Sequence, residues 1–226
     1  MTFSDKQVID RLAHAFGSSS VREDALHDRL TVLAEQRGLL DIAYRTVDSP
    51  LGPLLLATTG KGLVRVAFSR EDYEDVLARL ASDVSARILH APRRLDPAAR
   101  QLDEYFARKR RTFTVPVDLQ LARGFRRSVL LRLRDIPYGQ TRSYTAIARA
   151  AGNASAVRAA ASACSQNPLP LIVPCHRVVR SDGSVGDYRG GPEAKQALLE
   201  MEAPEAFAQD RARKSYRGPA ARLFDG

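Results

Sequence analysis

The chain has 226 residues, of which 44% are hydrophobic and 27% are charged. These values indicate a globular protein with one large domain or two small ones, and they exclude a low-complexity chain. No stretch approaches the roughly 18 apolar residues of a membrane-spanning helix, and the charged start MTFSDKQVIDRL lacks a signal peptide's apolar core. We therefore expect a cytoplasmic protein without membrane contact.

The net charge of +9 is concentrated in one segment. Residues 1–122 carry 18 Lys and Arg against 17 Asp and Glu, residues 123–189 carry 11 against 3, and residues 190–226 carry 6 against 6. All eleven basic residues of the middle segment are arginine, whose guanidinium group binds phosphate and can stack on nucleobases. A solvated basic surface would explain this bias as well, but the presence of Cys175 in the same segment favours nucleic-acid binding.

The first 122 residues predict a helical extension followed by a small sheet-plus-helix domain. In residues 1–40, two sets of apolar residues each share a helical face, and GSSS separates them: Ile9, Leu12 and Phe16, then Leu26, Leu30 and Leu33. In residues 41–122, IAYRTV, PLLLATT and LVRVAF predict three short strands joined by turns. EDYEDVLARLAS and DPAARQLDEYFARK predict two helices with acidic first turns. We expect this domain to be structural.

Residues 123–203 predict a mostly helical domain, and residues 204–226 a loosely ordered tail. Apolar spacing in GFRRSVLLRLR predicts an amphipathic helix, which PYG ends in a turn. Ser143 is a candidate N-cap for a helix that runs to Ala151, and Ser155 is a candidate cap for the next one. Two short helices joined by a glycine-containing turn of three or four residues are typical of a helix-turn-helix. The fold class is thus α+β or α/β, with the helix-turn-helix in the second domain.

The second helix of this pair is unusually small in its side chains. Most of its residues from Ala154 to Ala163 are alanine, and Arg158 is the only long side chain between Ser155 and Gln166. Small residues let a backbone approach closely, which suits either tight packing on a neighbouring helix or a narrow DNA groove. In a groove, the arginine could enter the base stack.

Cys175 lies in LPLIVPCHRVV, between a proline and a histidine. A free thiol has a pKa near 8.5, so at neutral pH a base or cation is needed to make much thiolate. His176 is adjacent, but neighbouring side chains on a strand point to opposite faces, so contact requires a bend or a bridging water. Glu202 is the best candidate for the acid that orients the imidazole. On these residues alone, Cys175 could also be an unreactive cysteine that only packs in the core.

Three motifs carry a family resemblance, in this order: IPYGQTRSYTAIA, VRAAASACSQNPLPLIVPCHRVV and GSVGDYRGGPEAKQALLEME. Their order and spacing resemble the O6-alkylguanine-DNA alkyltransferases, also called methylated-DNA–protein-cysteine methyltransferases. The resemblance runs from about Phe125 to Glu202 and extends more loosely back to Asp48. It implies DNA repair by irreversible, single-turnover transfer of an alkyl group from O6-alkylguanine, and from O4-alkylthymine, to the protein's own cysteine. It also implies a monomer that binds double-stranded DNA and uses no cofactor.

The resemblance implies a role for each matching residue. Cys175 is the alkyl acceptor, His176 is its base through a water, and Glu202 orients His176. Asn167 braces the turn that presents the thiol, and Tyr144 protonates the leaving guanine and crowds the adjacent phosphate. Arg158 fills the gap left by the extruded base. The other implied DNA contacts are Ser155 and Ala159. The implied residues of the pocket that receives the base are Pro170, Val178, Tyr188 and Arg189.

Some positions depart from the family pattern. The second helix reads RAAASA where RAVG is common, which keeps the small size. Arg189 stands where some relatives carry serine, so one hydroxyl donor to O6 is lost, while the backbone N–H is retained. The N-terminal zinc-binding cysteines of some relatives are absent, which predicts no metal. Two alternatives remain open: a non-catalytic lesion sensor, although such proteins carry tryptophan at the position of Cys175, and a cysteine hydrolase.

Overall fold

The computed structural model describes residues 26–27 and 29–203. The predicted helix with Ile9, Leu12 and Phe16 and the tail of residues 204–226 lie outside this part of the chain. Residues 29–36 are helical. The leucines predicted to share an apolar face are exposed: Leu26, Leu30 and Leu33. The helix instead buries Ala34, which packs with Leu40, Ala43 and Ala91.

A four-stranded sheet follows, in the order β3-β2-β1-β4. The three predicted strands are confirmed as β1 (Ile42–Val47), β2 (Leu54–Thr59) and β3 (Gly62–Phe68), which form an antiparallel meander. The sequence reading missed β4 (Ile88–His90), which pairs in parallel with β1. Three residues are too few to show an alternating pattern.

Two helices cover the sheet unit, as predicted. Helix α1 (Tyr73–Asp83) begins where the Asp72 carboxylate accepts hydrogen bonds from the backbone N–H groups of Glu74 and Asp75. Helix α2 (Asp96–Phe106) has Pro97 in its first turn, where a missing N–H costs nothing. It buries Leu102 and Tyr105 towards the second unit.

The second unit is helical and has two minor strands. It contains α3 (Gly124–Leu133), α4 (Tyr144–Ala150), α5 (Val157–Ser165) and α6 (Pro192–Glu202). The strands β5 (Arg142–Ser143) and β6 (Val178–Val179) pair in parallel beside α4. Ser143 caps α4 by accepting a bond from the Ala146 N–H, as predicted.

The predicted cap of α5 was wrong. Ala156 precedes the helix, and the Ser155 hydroxyl donates to Asn153 Oδ1 instead of accepting from α5. Asn153 also accepts from the Ser155 N–H, so an Asx turn occupies the position assigned to the helix start. The connection between α4 and α5 is consequently six residues long rather than three or four.

One apolar core runs through both units. It includes Leu54 and Leu102 from the sheet unit, and Leu130, Cys175 and Leu198 from the helical unit. Backbone pairing crosses the boundary too, since the Val66 N–H donates to the Pro168 carbonyl at 2.9 Å. Within the described residues, no helix is long and apolar enough to cross a membrane.

Candidate active site around Cys175

Cys175 is presented by a tight turn that Asn167 holds together. The Asn167 amide donates to the Val173 carbonyl at 2.8 Å and to Cys175 Sγ at 3.1 Å, and its oxygen accepts from the Leu169 N–H at 3.0 Å. Leu171 in the same turn has a φ of 74°, a left-handed conformation that costs a side-chain-bearing residue about 1–2 kcal/mol. The turn is therefore held in a demanding geometry by one fully buried amide.

The backbone at Cys175 is bent and not extended, and such a bend is one of the two conditions under which the sequence allowed an interaction with His176. Cys175–Arg177 form one turn of 3₁₀ helix, so the expectation of opposite-facing neighbours does not apply. This turn directs His176 and Arg177 into the protein, where both meet the end of α6.

The Glu202 carboxylate gathers five hydrogen bonds from four residues. Oε1 accepts from His176 Nε2 at 2.9 Å, Arg177 Nη2 at 2.9 Å and the Tyr105 hydroxyl at 2.6 Å. Oε2 accepts from Arg177 Nε at 2.8 Å and from the Gly139 N–H at 3.1 Å. Burial alone would raise the pKa of Glu202, but the bonds from His176 and Arg177 outweigh it and hold that pKa well below its ordinary value. The carboxylate is anionic at neutral pH.

This anion determines the tautomer of His176. Because an ionised carboxylate only accepts, Nε2 carries the proton and Nδ1 keeps its lone pair. Nδ1 is buried and has no hydrogen-bond partner among the described residues. Burial lowers the pKa of His176 below 6.5, and Glu202 only partly offsets this shift. The imidazole is thus neutral at pH 7 and has a base nitrogen available.

Cys175 itself is protonated in this arrangement. Its exposed fraction is 2%, and burial raises the pKa of its thiol to about 11, against the opposing effects of Asn167 and Lys195. A neutral thiol is a weak nucleophile, so any reaction at this sulfur requires a base to remove the proton as the substrate reacts.

Tyr144 begins α4 near the thiol. Burial, followed by the nearby Cys164 and Cys175, raises the pKa of Tyr144 to about 12, so the phenol keeps its proton. Lys195 Nζ lies 3.4 Å from the Tyr144 oxygen and 5.6 Å from the ring centroid. Gly186 is required here, because a Cβ at that position would lie 2.5 Å from the Tyr144 oxygen.

A surface cavity of about 350 Å³ opens beside Tyr144. Arg158 and Ala161 of α5 line one side, and Arg180 and Asp187 line the other. Of the residues assigned to DNA, Arg158 and Ala159 lie on α5 and Ser155 lies just before it, and all three are exposed to solvent. Ala161 and Gly186 add little side-chain bulk to the rim of this cavity, and Arg158 and Arg180 give it positive charge.

The four residues assigned to the base pocket lie in different surroundings. Pro170, Val178 and Tyr188 are buried, and the Tyr188 hydroxyl has no hydrogen-bond partner among the described residues. Tyr188 also packs edge-on against His176, with ring centroids 6.3 Å apart. The Arg189 side chain points away from the cavity and donates to Glu71 of the sheet unit at 2.7 Å and to the Ser165 carbonyl at 3.3 Å.

The sequence reasoning missed three residues of the site. Arg177 donates hydrogen bonds from two of its nitrogens to Glu202. Lys195 is fully buried beside Tyr144, and Tyr105 of the sheet unit donates a hydrogen bond to Glu202. Lys195 could have been found from its spacing, because it lies seven residues before Glu202 on the same helix. That spacing is about two turns, so the two side chains share one face. Across the described ranges, no group of three His, Cys, Asp or Glu side chains could hold a metal ion.

Two family models match the chain. The model described as 6-O-methylguanine DNA methyltransferase, ribonuclease-like domain, matches residues 42–119. The model described as 6-O-methylguanine DNA methyltransferase, DNA binding domain, matches residues 124–204 and so includes Cys175, His176 and Glu202.

Similar proteins agree with these matches. The methylated-DNA–protein-cysteine methyltransferase of Mycobacterium tuberculosis is 40% identical over 167 residues, covering 74% of this chain and 96% of that protein. The constitutive methylated-DNA–protein-cysteine methyltransferase of Bacillus subtilis is 38% identical over 160 residues, covering 70% and 94%. The crystal structure of M. tuberculosis OGT in complex with DNA superposes with a TM-score of 0.62 at 40% identity, covering 72% and 95%. The chain belongs to the O6-methylguanine DNA methyltransferase family.

Proposed function

We propose that this protein repairs DNA by moving the alkyl group from O6 of guanine to Cys175, once per molecule. The observation that carries the proposal is the buried contact from Glu202 to His176 Nε2. It leaves His176 Nδ1, on the residue next to the thiol, without a hydrogen-bond partner in the described part of the chain. Membership of the methyltransferase family and the similarity to named methylated-DNA–protein-cysteine methyltransferases support it. The proposed compartment is the cytoplasm.

The first step is activation of the sulfur. His176 Nδ1 takes the Cys175 proton through an intervening water, and the Glu202 carboxylate stabilises the resulting imidazolium. The new thiolate attacks the alkyl carbon in line with the C–O6 bond. A C–S bond forms, the C–O6 bond breaks, and its electron pair stays on the guanine. The thioether is stable, so the protein is consumed.

The second requirement is a proton for the leaving guanine. Tyr144 borders the cavity and holds its proton at neutral pH, and we assign it that donation. Lys195 donates a hydrogen bond to the Tyr144 oxygen. The phenol therefore keeps its own proton for donation to the flipped-out guanine. The lysine also stabilises the phenolate that donation creates.

The alkyl carbon lies inside the base stack of duplex DNA, so the nucleotide must be flipped out to meet the sulfur. Flipping costs a few kcal/mol, which phosphate contacts from arginines can offset. We assign Arg158 to the vacated space, with Ser155 and Ala159 at the minor-groove surface, in a helix-turn-helix built from α4 and α5. Val178, Tyr188, Pro170 and the Arg189 backbone form the pocket, which must open, because Cys175 is only 2% exposed.

Intact-mass spectrometry after incubation with duplex DNA containing O6-methylguanine tests the proposal. We expect a gain of one methyl group per protein molecule, mapped by peptide analysis to Cys175, and no gain in Cys175→Ala. Excess DNA should not increase the gain, because the thioether does not turn over. Tight binding of the lesion with unchanged mass would identify a sensor instead, and repeated turnover would overturn the mechanism.

A further inference from the structure

The sheet unit places one side chain directly on the catalytic pair. Tyr105 lies at the end of α2, is fully buried, and packs its ring on Phe106, Phe113 and Tyr138. Its hydroxyl is 2.6 Å from Glu202 Oε1 and 3.5 Å from His176 Nε2. This is the shortest hydrogen bond that Glu202 receives among the described residues.

The proton in this contact belongs to the tyrosine. Burial, and then the charge of Glu202, raise the pKa of Tyr105 far above its ordinary value, while Glu202 is held ionised. The phenol therefore donates, and it shares Oε1 with His176 Nε2–H and Arg177 Nη2. Donation of a third bond withdraws charge from the oxygen on which the imidazole depends.

We propose that Tyr105 is a positioning residue that the sheet unit contributes to alkyl transfer, by fixing the Glu202 carboxylate and limiting its pull on the His176 proton. The inference rests on the proposed function. The sheet unit is then part of the active site and not only its support.

Several charged or titratable groups lie around His176, and three of them shift the pKa of its imidazole. Glu202 favours the imidazolium, whereas Arg177 and Lys195 disfavour it. Tyr188 packs on the ring and Cys175 precedes it in the chain. With the Tyr105 hydroxyl removed, Oε1 bears more negative charge and holds the imidazolium more strongly. The pKa of His176 should rise, so the base becomes protonated over a wider range of acid pH.

Tyr105→Phe tests this with little change in packing, since the ring is kept. We measure the second-order rate of alkyl transfer against pH and titrate the His176 imidazole by nitrogen NMR. We expect transfer at pH 7 to slow by roughly tenfold and the acidic limb of the profile to move up by about one pH unit. Tyr73→Phe is the matched control, because it also removes one hydroxyl bond of the sheet unit, at 2.7 Å to the Pro53 carbonyl, away from the thiol.

A second variant guards against misfolding. Site-specific 3-fluorotyrosine at position 105 keeps the hydroxyl and makes it a stronger donor, so the acidic limb should move down. An unmoved limb and an unchanged His176 titration in both variants would overturn the inference, whatever happens to stability. If the wild-type protein transfers no alkyl group, the proposed function fails, while the NMR titration still decides the role of Tyr105.

Discussion

The two cysteines of this chain are equally buried but differ in their surroundings. Cys164 and Cys175 each have an exposed fraction of 2% and join the same apolar core. Cys164 lies within α5, and burial raises the pKa of its thiol above that of Cys175. Lys195 lowers both pKa values, so this cation does not distinguish the two sulfurs.

The difference comes from neighbouring hydrogen-bonding groups. Cys175 receives a hydrogen bond from the Asn167 amide and precedes His176, whose Nδ1 has no partner within residues 26–27 and 29–203. Over the same residues Cys164 has neither feature. Exposure therefore does not separate the two thiols. A local donor and a neighbouring base distinguish Cys175, the proposed alkyl acceptor, and each can be removed separately.

Removing the charge of Glu202 should have the largest effect. In Glu202→Gln, the amide cannot accept from every donor now aimed at the carboxylate, and the buried Arg177 loses its counter-ion. We expect a loss of about 3–5 kcal/mol in the free energy of unfolding, measured by urea denaturation. Alkyl transfer should slow at least about 100-fold, because the imidazole loses its tautomer and its stabilising charge. Glu193→Gln, on the exposed first turn of the same helix, is the control.

The same pair makes stability depend on pH in a defined direction. Both folded-state pKa values lie below their ordinary values of 6.5 for His176 and 4.5 for Glu202, so the unfolded chain binds more protons in acid. Their contribution is complete above about pH 6.5 and is lost as the pH falls. Glu202→Gln should remove the part of this loss that lies below about pH 4.5, whereas the His176 part should persist, because burial alone then lowers the pKa of His176. An unchanged loss below pH 4.5 or a wild-type transfer rate would contradict the assigned network.

Removing the donor to the thiol should have an intermediate effect. Asn167→Ala deletes the bonds to Cys175 and to the Val173 carbonyl and leaves the Leu169 N–H without an acceptor. The pKa of Cys175 should rise further and transfer should slow by about tenfold, with roughly 2–4 kcal/mol of stability lost to unpaired buried groups. Thiolate absorbance against pH reads the thiol directly. Asn153→Ala, in an exposed turn, should leave that titration unmoved, and equal titration curves for both variants would remove Asn167 from the site.

The smallest effect is expected at the other thiol. Cys164→Ala removes one buried sulfur and should cost about 1–2 kcal/mol of unfolding free energy through the small cavity left behind. Transfer to Cys175 should keep its stoichiometry of one and its rate within about twofold. A lost or halved stoichiometry would show that the comparison between the two sulfurs is mistaken.

Local patterns predicted most of the fold and the centre of the site. Short apolar runs bounded by turn residues predicted the three strands of the meander, and Ser143 predicted the start of α4, because these signals are contained in a few neighbouring residues. The family resemblance predicted the grouping of Cys175 with His176, Asn167 and Glu202, although Glu202 belongs to a separate motif, GSVGDYRGGPEAKQALLEME. The bond between His176 and Glu202 was therefore anticipated.

What the sequence did not predict depends on distant parts of the chain or on competing local bonds. Tyr105 is 97 residues from Glu202, and an aromatic on an apolar helix face predicts only core packing. The predicted N-cap at Ser155 was wrong because Asn153, two residues earlier, accepts the hydrogen bond of the Ser155 hydroxyl. Lys195 is a cation inside a core, and only the tertiary fold brings it to Tyr144.

The continuous core has a consequence for how such a protein can change over evolutionary time. With Leu54, Leu102, Leu130 and Leu198 packed into one cluster, the two halves should melt in a single cooperative transition. Neither half can be exchanged for a foreign module without rebuilding the seam that joins them.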